Sequence, residues 1–202
     1  DAVRLLGLDP RRVAVVYCGV DEMYRPLPAE VVESYRRHRG LPGEFVLFVG
    51  TLEPRKNIVG HIEANRLLSA EWPRPASTQP TLVIAGAKVP ADELPFLYNA
   101  AVLFVYPSLY EGFGLPPLEA MACGTPVVVS DRSSLPEVVG DAGVLVNPDE
   151  PADMARAVRT LLLDRDARDA LAERGRRRAA MFSWRRAAQE TTAIYRQVLG
   201  RA

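Results

Sequence analysis

The sequence is poor in metal-binding and redox side chains, with two cysteines and two histidines in 202 residues. Cys18 and Cys123 stand far apart and show no CxxC spacing. Neither a disulfide framework nor a cysteine-based zinc site is therefore expected. His38 and His61 belong to no HExxH or similar motif, so no metal site is expected on them either. Charge of one sign is lacking as well: Lys+Arg and Asp+Glu each number 25, for a formal net charge of zero. A nucleic-acid binder needs a basic footprint to neutralise phosphates, and that class is excluded. No apolar run approaches the roughly 20 residues that span a bilayer. No basic stretch followed by an apolar one opens the sequence, so no signal peptide is expected. A reducing, cytoplasmic setting follows. Lysine is nearly missing too: Lys56 and Lys88 are the only ones among many arginines, which makes the placement of Lys56 noticeable.

What is present is a folded, globular composition. The hydrophobic fraction is 48%, too high for a disordered chain. At about 150 residues per domain the length allows one domain, with core enough to need no staples. Short apolar runs recur at Val13–Tyr17, Phe45–Val49, Leu82–Ala85, Val102–Tyr106, Val127–Ser130 and Gly143–Val146. They are continuous rather than alternating, as strands covered on both faces are. Helical patterns lie between them at Ile58–Leu68, with Ile62, Leu67 and Leu68 as its apolar positions, and at Asp92–Ala100. Pro116–Cys123 has Pro near its start and Gly124 just beyond its end. Further helices are expected at Ser134–Val139, at Pro151–Leu163 after a cap at Asp149, at Asp166–Met181 and at Ser183–Leu199. A short helix is read in Asp1–Leu8, an irregular stretch in Tyr24–Pro28 and a surface loop in Glu71–Pro80. Trp72 and Trp184 are read as packing residues, and Arg174–Arg178 as a solvated helix end. Strand–helix alternation implies an α/β fold, a Rossmann-like parallel sheet with helices on both faces.

In such a sheet, ligands bind beyond the carboxyl ends of the strands. Two of those ends carry chemistry. After Phe45–Val49 comes Gly50-Thr51-Leu52-Glu53-Pro54-Arg55-Lys56-Asn57 and then a helix. Gly50 permits a tight turn. Arg55 and Lys56 bring two cations to a helix start, where the macrodipole is already positive. An uncompensated pair there suits a phosphate or pyrophosphate; a solvated basic turn is the alternative. After Val102–Tyr106 comes Pro107-Ser108-Leu109-Tyr110-Glu111-Gly112-Phe113-Gly114-Leu115. Gly112 and Gly114 bracket Phe113 and free the backbone for close approach to a ligand, and the amides of Gly112 to Leu115 make a second anion cradle. Glu111 before the turn and Glu119 in the first helical turn are carboxylates suited to accept hydrogen bonds from sugar hydroxyls. Each also has a plain reading: Glu119 as an acid that stabilises a helix start, Glu111 as a loop carboxylate in water.

The stretch Glu111-Gly-Phe-Gly-Leu-Pro-Pro-Leu-Glu119-Ala-Met-Ala-Cys-Gly-Thr-Pro-Val-Val resembles the E-x7-E signature of the retaining glycosyltransferases of family 4 (group 1). VLFVGTLEPRKN, Val46 to Asn57, is similar to the phosphate-binding loop of that family, and Phe182-Ser183-Trp184 to the start of its closing helix. The resemblance runs from about Val13 to the end and implies one half of a two-domain GT-B fold. It implies transfer of a sugar from a nucleotide-diphosphate sugar to an acceptor, with retention at the anomeric carbon. Arg55, Lys56 and Glu111 would be the catalytic residues. The two cations would stabilise charge on the departing nucleotide. Gly50, Gly112, Phe113, Gly114 and Leu115 would bind the donor, and Glu119 would take its ribose hydroxyls. That role sets Glu119 apart from a glycosidase-like double displacement with Glu111. No metal and no cofactor beyond the donor substrate are implied.

The resemblance also implies an organisation. Residues 1–22 would be the tail of an amino-terminal domain with its linker. Residues 23–182 would bind the nucleotide sugar, and 183–202 would be a helix crossing back, with Ile194, Tyr195 and Val198 as an apolar face. The acceptor (a carbohydrate, lipid or small molecule) would be held mainly by the amino-terminal domain, and some members of the family work at membranes. The sequence departs from the family in three respects. Only Ala87-Lys88-Val89 stand between Gly86 and Pro90, where the family has a further helix and strand near the base pocket. Of the family's amino-terminal acceptor domain only the last helix and strand would be expected, in residues 1–20. Cys18-Gly-Val-Asp21 stands where the family often has Asn-Gly-Val-Asp. Alternatives are a nucleotide-binding module without activity, another GT-B enzyme such as a nucleotide-sugar epimerase, and, more weakly, a sugar phosphorylase.

Overall fold

The computed structural model describes residues 2–86 and 89–200. The chain divides into two compact units, residues 20–181 and residues 1–19 with 182–202.

The larger unit is built on five parallel strands, β1 (Phe45–Val49), β2 (Thr81–Ala85), β3 (Leu103–Tyr106), β4 (Val127–Ser130) and β5 (Val144–Val146), in the order β2-β1-β3-β4-β5. The three central strands are buried along their whole length, whereas β2 and β5 at the edges are partly exposed. That is why the continuous apolar runs mark the strands: a parallel strand covered on both faces has no polar side. Leu103, Phe104, Val105 and Tyr106 are all fully buried, each contributing about 1.5–3 kcal/mol through the area it removes from water.

Helices α3 (Ile58–Ala70) and α7 (Pro151–Leu163) cover one face: Ala64, Leu68, Met154, Val158 and Leu162 pack with Val46, Leu103, Val105, Val128 and Val146. Ile62, expected on the apolar side of α3, is half exposed, and Leu68 is the buried one. Phe104 and Tyr106 alternate to the other face. There α4 (Leu94–Ala100) sets Tyr98 edge-on against Phe104, ring centroids 5.4 Å apart. The rings continue, Phe104 on Tyr106 and Tyr106 on Phe48, each at 5.7 Å, and Tyr24 meets Tyr98 at 5.9 Å. Helices α5 (Leu115–Ala122), α6 (Leu135–Val139) and α8 (Arg165–Ala179) complete the unit.

Several expectations change. The helix α2 (Ala29–Arg39) was not anticipated; none of its residues is buried, so its sequence carries no core-facing stripe to read. Its Tyr35 stacks on Phe96 at 5.1 Å. The α7 cap is not Asp149. Glu150 holds the N-cap position without a side-chain bond, and Asp149 pairs with Arg132 at 2.7 Å. Within Arg174–Arg178, Arg178 is no solvated end: it donates to the carbonyls of Glu137 and Val138 at 2.6 and 3.0 Å. The basic side chains of Arg176 and Arg177 both pair with Glu173. Trp72 packs against the core beside its loop and donates to Thr78. Ala87 and Lys88, on which the expected short connection after Gly86 rests, lie outside the described residues.

The smaller unit holds α1 (Ala2–Leu6), a 3-10 turn Pro10–Arg12 capped by Asp9, and α9 (Trp184–Val198), whose first turn is capped by Ser183. Val13–Tyr17, expected as a strand, belongs to no ladder; Val15 is 70% exposed and no residue of the run is buried, whereas a parallel strand buries both faces. Tyr17 packs edge-on against Phe182 at 5.8 Å. A Cβ on Gly19 would lie 2.0 Å from the backbone nitrogen of Trp184, so only glycine permits this approach. Trp184, read as a packing residue, is half exposed. Tyr195, Val198 and Leu199 of α9 are exposed as well, and Ile194 is half buried.

Candidate active site

The strand order reverses at one place. β2 lies on one side of β1 and β3 on the other, so the connections leaving β1 and β3 run in opposite directions and open a crevice at their carboxyl ends. The loops that leave there are Gly50–Asn57 and Pro107–Gly114, the two that the sequence singles out.

The first loop turns inward. Gly50 donates its N–H to the Ala85 carbonyl at 3.0 Å and continues into a 3-10 turn, Pro54–Lys56. Asn57, at φ 53°, caps α3 by accepting from the Gly60 N–H, and its amide reaches the Pro148 carbonyl at 2.7 Å. This carries the Lys56 side chain into the interior, 8% exposed, while Arg55 stays at the surface, 43% exposed.

The second loop is tied to the first. The Leu109 N–H donates to the Arg55 carbonyl at 2.7 Å, and the Arg55 guanidinium donates to the Tyr110 carbonyl at 3.3 Å. Glu111 then lies between the cations. Its carboxylate accepts from the Lys56 ammonium at 2.5 Å, from Arg55 at 3.2 Å, from the Ser108 hydroxyl at 2.6 Å and from the Tyr106 hydroxyl at 3.0 Å. Lys56 also donates to the Tyr106 hydroxyl, its ammonium 4.8 Å from the ring centroid. Burial pushes the Glu111 carboxyl up, but the bonds from Lys56 and Ser108, the Lys56 charge and the Tyr106 bond outweigh it and hold the group below the usual carboxylate range. Burial beside Glu111 pushes the Tyr106 phenol up. Arg55 has a second partner in Glu53, at 2.8 Å. The cations are thus not uncompensated, as the turn alone implied: Glu111, 55 residues away from Lys56, and Glu53 already pair with them.

Glu119 occupies the fifth position of α5, not the first turn, because the helix starts at Leu115. The macrodipole reading for it falls accordingly. Tyr98 donates to its carboxylate at 2.9 Å, and Tyr24 bonds it too. Burial raises its pKa, and the two tyrosine bonds only partly counter that. The two carboxylates of the motif are therefore held by different tyrosines of one aromatic run, Glu119 by Tyr24 and Tyr98, Glu111 by Tyr106, and their titrations are pushed in opposite directions.

Gly114 and Gly112 differ. Gly114 caps α5 at φ 119°, and a Cβ there would meet the Leu135 side chain at 2.8 Å, so its glycine answers to the fold. A Cβ on Gly112 would meet no protein atom within 4 Å. Phe113 is half buried beside it, and Leu115 is half buried at the helix start. Pro116 and Pro117 follow and carry no N–H, so α5 offers fewer amide donors at its start than an ordinary helix. Sequence reasoning passed over Tyr106, Ser108 and Glu53, which complete the charge cluster, and Tyr24 and Tyr98, which hold Glu119. Tyr106 and Ser108 do lie in the strand end and loop that the motif marks. Among the described residues, no group of three or more His, Cys, Asp or Glu comes together, and no helix is long and apolar enough to cross a membrane.

Residues 87–178 match the family described as glycosyl transferases group 1. The chain is 36% identical, over 220 residues, to O-antigen chain mannosyltransferase B of Escherichia coli, covering 97% of this chain and 57% of that protein. It superposes on sucrose-phosphate synthase from Thermosynechococcus elongatus with a TM-score of 0.74 at 26% identity, over 94% of this chain and 53% of the other. The fold is also that of Anabaena HepE, determined in complex with UDP, with a TM-score of 0.82 at 21% identity over 97% and 60% of the two chains. The chain spans about half the length of these proteins. Sequence and fold thus point the same way: residues 87–178 match the group 1 glycosyl transferase model, and the five-stranded parallel sheet is of the GT-B, Rossmann-like type.

Proposed function

We propose that this chain is the donor-binding part of a retaining, family 4 glycosyltransferase that moves a sugar from a nucleotide-diphosphate sugar to an acceptor. The observation that carries this reading is the meeting of Arg55, Lys56 and Glu111 at the strand-order reversal. Anabaena HepE, of the same fold, was determined with UDP. The likeness to a mannosyltransferase makes a mannose-bearing nucleotide the first donor to try.

In this reading the diphosphate sits against Arg55 and Lys56, with the amides of Gly112 to Leu115 along sugar and phosphate. The bond between the anomeric carbon and the phosphate oxygen breaks, and the two cations stabilise the charge on the departing nucleoside diphosphate. The acceptor oxygen bonds to the same face of that carbon, and its proton leaves with the phosphate. The cations supply the charge that a metal ion supplies elsewhere. Glu111 serves the cations until the diphosphate shares them, and then accepts from sugar hydroxyls. Glu119, held by two tyrosines, accepts from the ribose. Gly50, where an added Cβ would press on the Phe48 ring at 3.1 Å, lets the donor-binding loop turn tightly off β1. The acceptor, a carbohydrate, lipid or small molecule, is held by the other half of a two-domain enzyme, so residues 23–182 alone bind donor without transferring sugar. The free thiols Cys18 and Cys123 suit a cytoplasmic setting, with the membrane as a peripheral meeting place.

Calorimetric titration with UDP and GDP, then with their sugars, tests the reading. Binding of at least one nucleoside diphosphate is expected, and silence toward all of them sinks the proposal. Arg55→Ala is expected to weaken diphosphates far more than nucleosides, whereas Glu119→Ala weakens both; equal effects of the two variants on both ligand types contradict the roles. A second reading is a nucleotide-binding module without activity. Coexpression with an amino-terminal half from a relative separates the two, because only the enzyme reading expects transfer.

A further inference from the structure

A third loop reaches the site from the carboxyl end of β4, and its residues have no part in the motifs. Ser133 has φ 60°, a left-handed backbone that only one other non-glycine residue adopts among the described residues. Such a conformation is disfavoured for a residue with a Cβ. Its side chain makes a reciprocal pair with one residue: Oγ accepts from the Glu111 N–H at 3.0 Å and donates to the Glu111 carbonyl at 2.5 Å. Both backbone groups of Glu111 are thereby fixed by one hydroxyl 22 residues away. Ser134 continues the arrangement. Its hydroxyl donates to the Phe113 carbonyl at 2.5 Å and lies 3.1 Å from the Glu111 carbonyl. Gly112, between these anchors, has no Cβ to restrict the loop. Lys56 and Ser108, by contrast, hold the Glu111 side chain, and Ser108 and Arg55 the Tyr110 carbonyl before it, so it is the two serines that bond the Glu111 N–H and carbonyl.

We propose that Ser133 and Ser134 are positioning residues, which set the backbone of Glu111 to Phe113 so that the Glu111 carboxylate faces Lys56 and Arg55 at the angle the donor sugar requires. The strain at Ser133 is retained because only a hydroxyl at that left-handed position reaches both backbone groups of Glu111. The proposal rests on the donor-binding reading for its consequence, but not for its geometry.

The test has two arms, run on the full chain with Ser133→Gly and Ser134→Ala. Ser133→Gly removes the hydroxyl and relieves the backbone, so it is expected to fold with a melting temperature within a few degrees of the parent. In the first arm, the Glu111 carboxyl is followed by NMR against pH. It is expected to titrate distinctly higher in both variants, because the loosened loop lets the carboxylate leave Lys56. An unchanged Glu111 titration overturns the proposal. In the second arm, calorimetry compares a nucleoside diphosphate with its sugar. The sugar nucleotide is expected to lose about tenfold in affinity, roughly one hydrogen bond's worth, while the diphosphate alone changes by less than twofold. Equal losses for both ligands mark a collapse of the whole site and overturn the positioning role. A raised Glu111 titration in variants whose parent binds no nucleotide upholds the serines' grip on Glu111 and sinks the donor reading instead.

Discussion

Removing the Glu111 carboxylate leaves the Lys56 ammonium, 8% exposed, and one side of the Arg55 guanidinium without their anion. Glu111→Gln is therefore expected to cost about 3 kcal/mol in urea unfolding, as breaking a largely buried ion pair does. A nucleoside diphosphate or inorganic pyrophosphate should bind the variant more tightly than the parent and restore part of that stability. Loss of stability without a gain in anion affinity would show that the cations serve the fold alone. The glycines make a matched pair at the same scale. Gly114→Ala should destabilise the protein by about 1–3 kcal/mol, through its φ of 119° and the contact with Leu135. Gly112→Ala should leave the melting temperature unchanged, since its Cβ meets only open space, and should weaken the nucleotide sugar. Residue identity was readable here and residue pairing was not. The GFG turn and both carboxylates stand out as a string, but the bond from Lys56 to Glu111 joins two loops that no local pattern connects.

At the scale of elements, His61 links α3 to the core at a price the strands do not share. It is 3% exposed, its Nδ1 has no hydrogen-bond partner, and a small cavity of about 10 Å³ lies between it and Met154, Ala155 and Val158 of α7. Burial pushes its pKa down to about 4 from the ordinary 6.5. The unfolded chain therefore takes up the proton first as the pH falls. Stability is at its full value above about pH 6.5, declines from there to about pH 4, and loses on the order of 3 kcal/mol to this group. His61→Leu should flatten that stretch of the curve, read by urea unfolding at a series of pH values. An unaltered slope would assign the acid loss to the carboxylates instead. Elements were legible in proportion to what they bury. The all-buried β1, β3 and β4 announced themselves as unbroken apolar runs. The helix α2 buries no residue, so composition alone had to speak for it. Val13–Tyr17 carries a strand's residue types without a neighbour to pair with, and β propensity by itself makes no ladder.

For the whole molecule, the neutral formal charge conceals a cationic pair and its carboxylate at one end of the sheet. Nucleoside diphosphate binding is thus expected to weaken with salt despite zero net charge, modestly, because the contact involves two cations rather than a field. Protection should follow the sheet: in hydrogen exchange, the amides of β1, β3 and β4 are expected to be the slowest, and those of Val13–Tyr17 among the first to exchange. Fast exchange in β3 would mean that the buried centre is not the stable nucleus. The class of fold could be read from strand–helix alternation, and the site's general position from the rule about strand ends. What could not be read is which two strands flank the reversal, since sheet order depends on contacts between segments far apart in sequence.

All five strands run the same way, and that gives the unit two unlike ends. Every group assembled around Glu111 stands after a strand or at its close: Arg55 and Lys56 after β1, Tyr106 and Ser108 at the end of β3, Ser133 and Ser134 after β4. The segments that enter the strands, such as Glu71–Pro80 before β2 and Gly124–Pro126 before β4, contribute nothing to it. One end of the sheet thus carries none of the charge cluster, while the other is held to a few side-chain positions. A labelling peptide inserted at Pro73-Arg74, between the paired residues Glu71 and Trp72 and the bonded turn Pro75–Gln79, would report on the protein without disturbing the end where the charges meet.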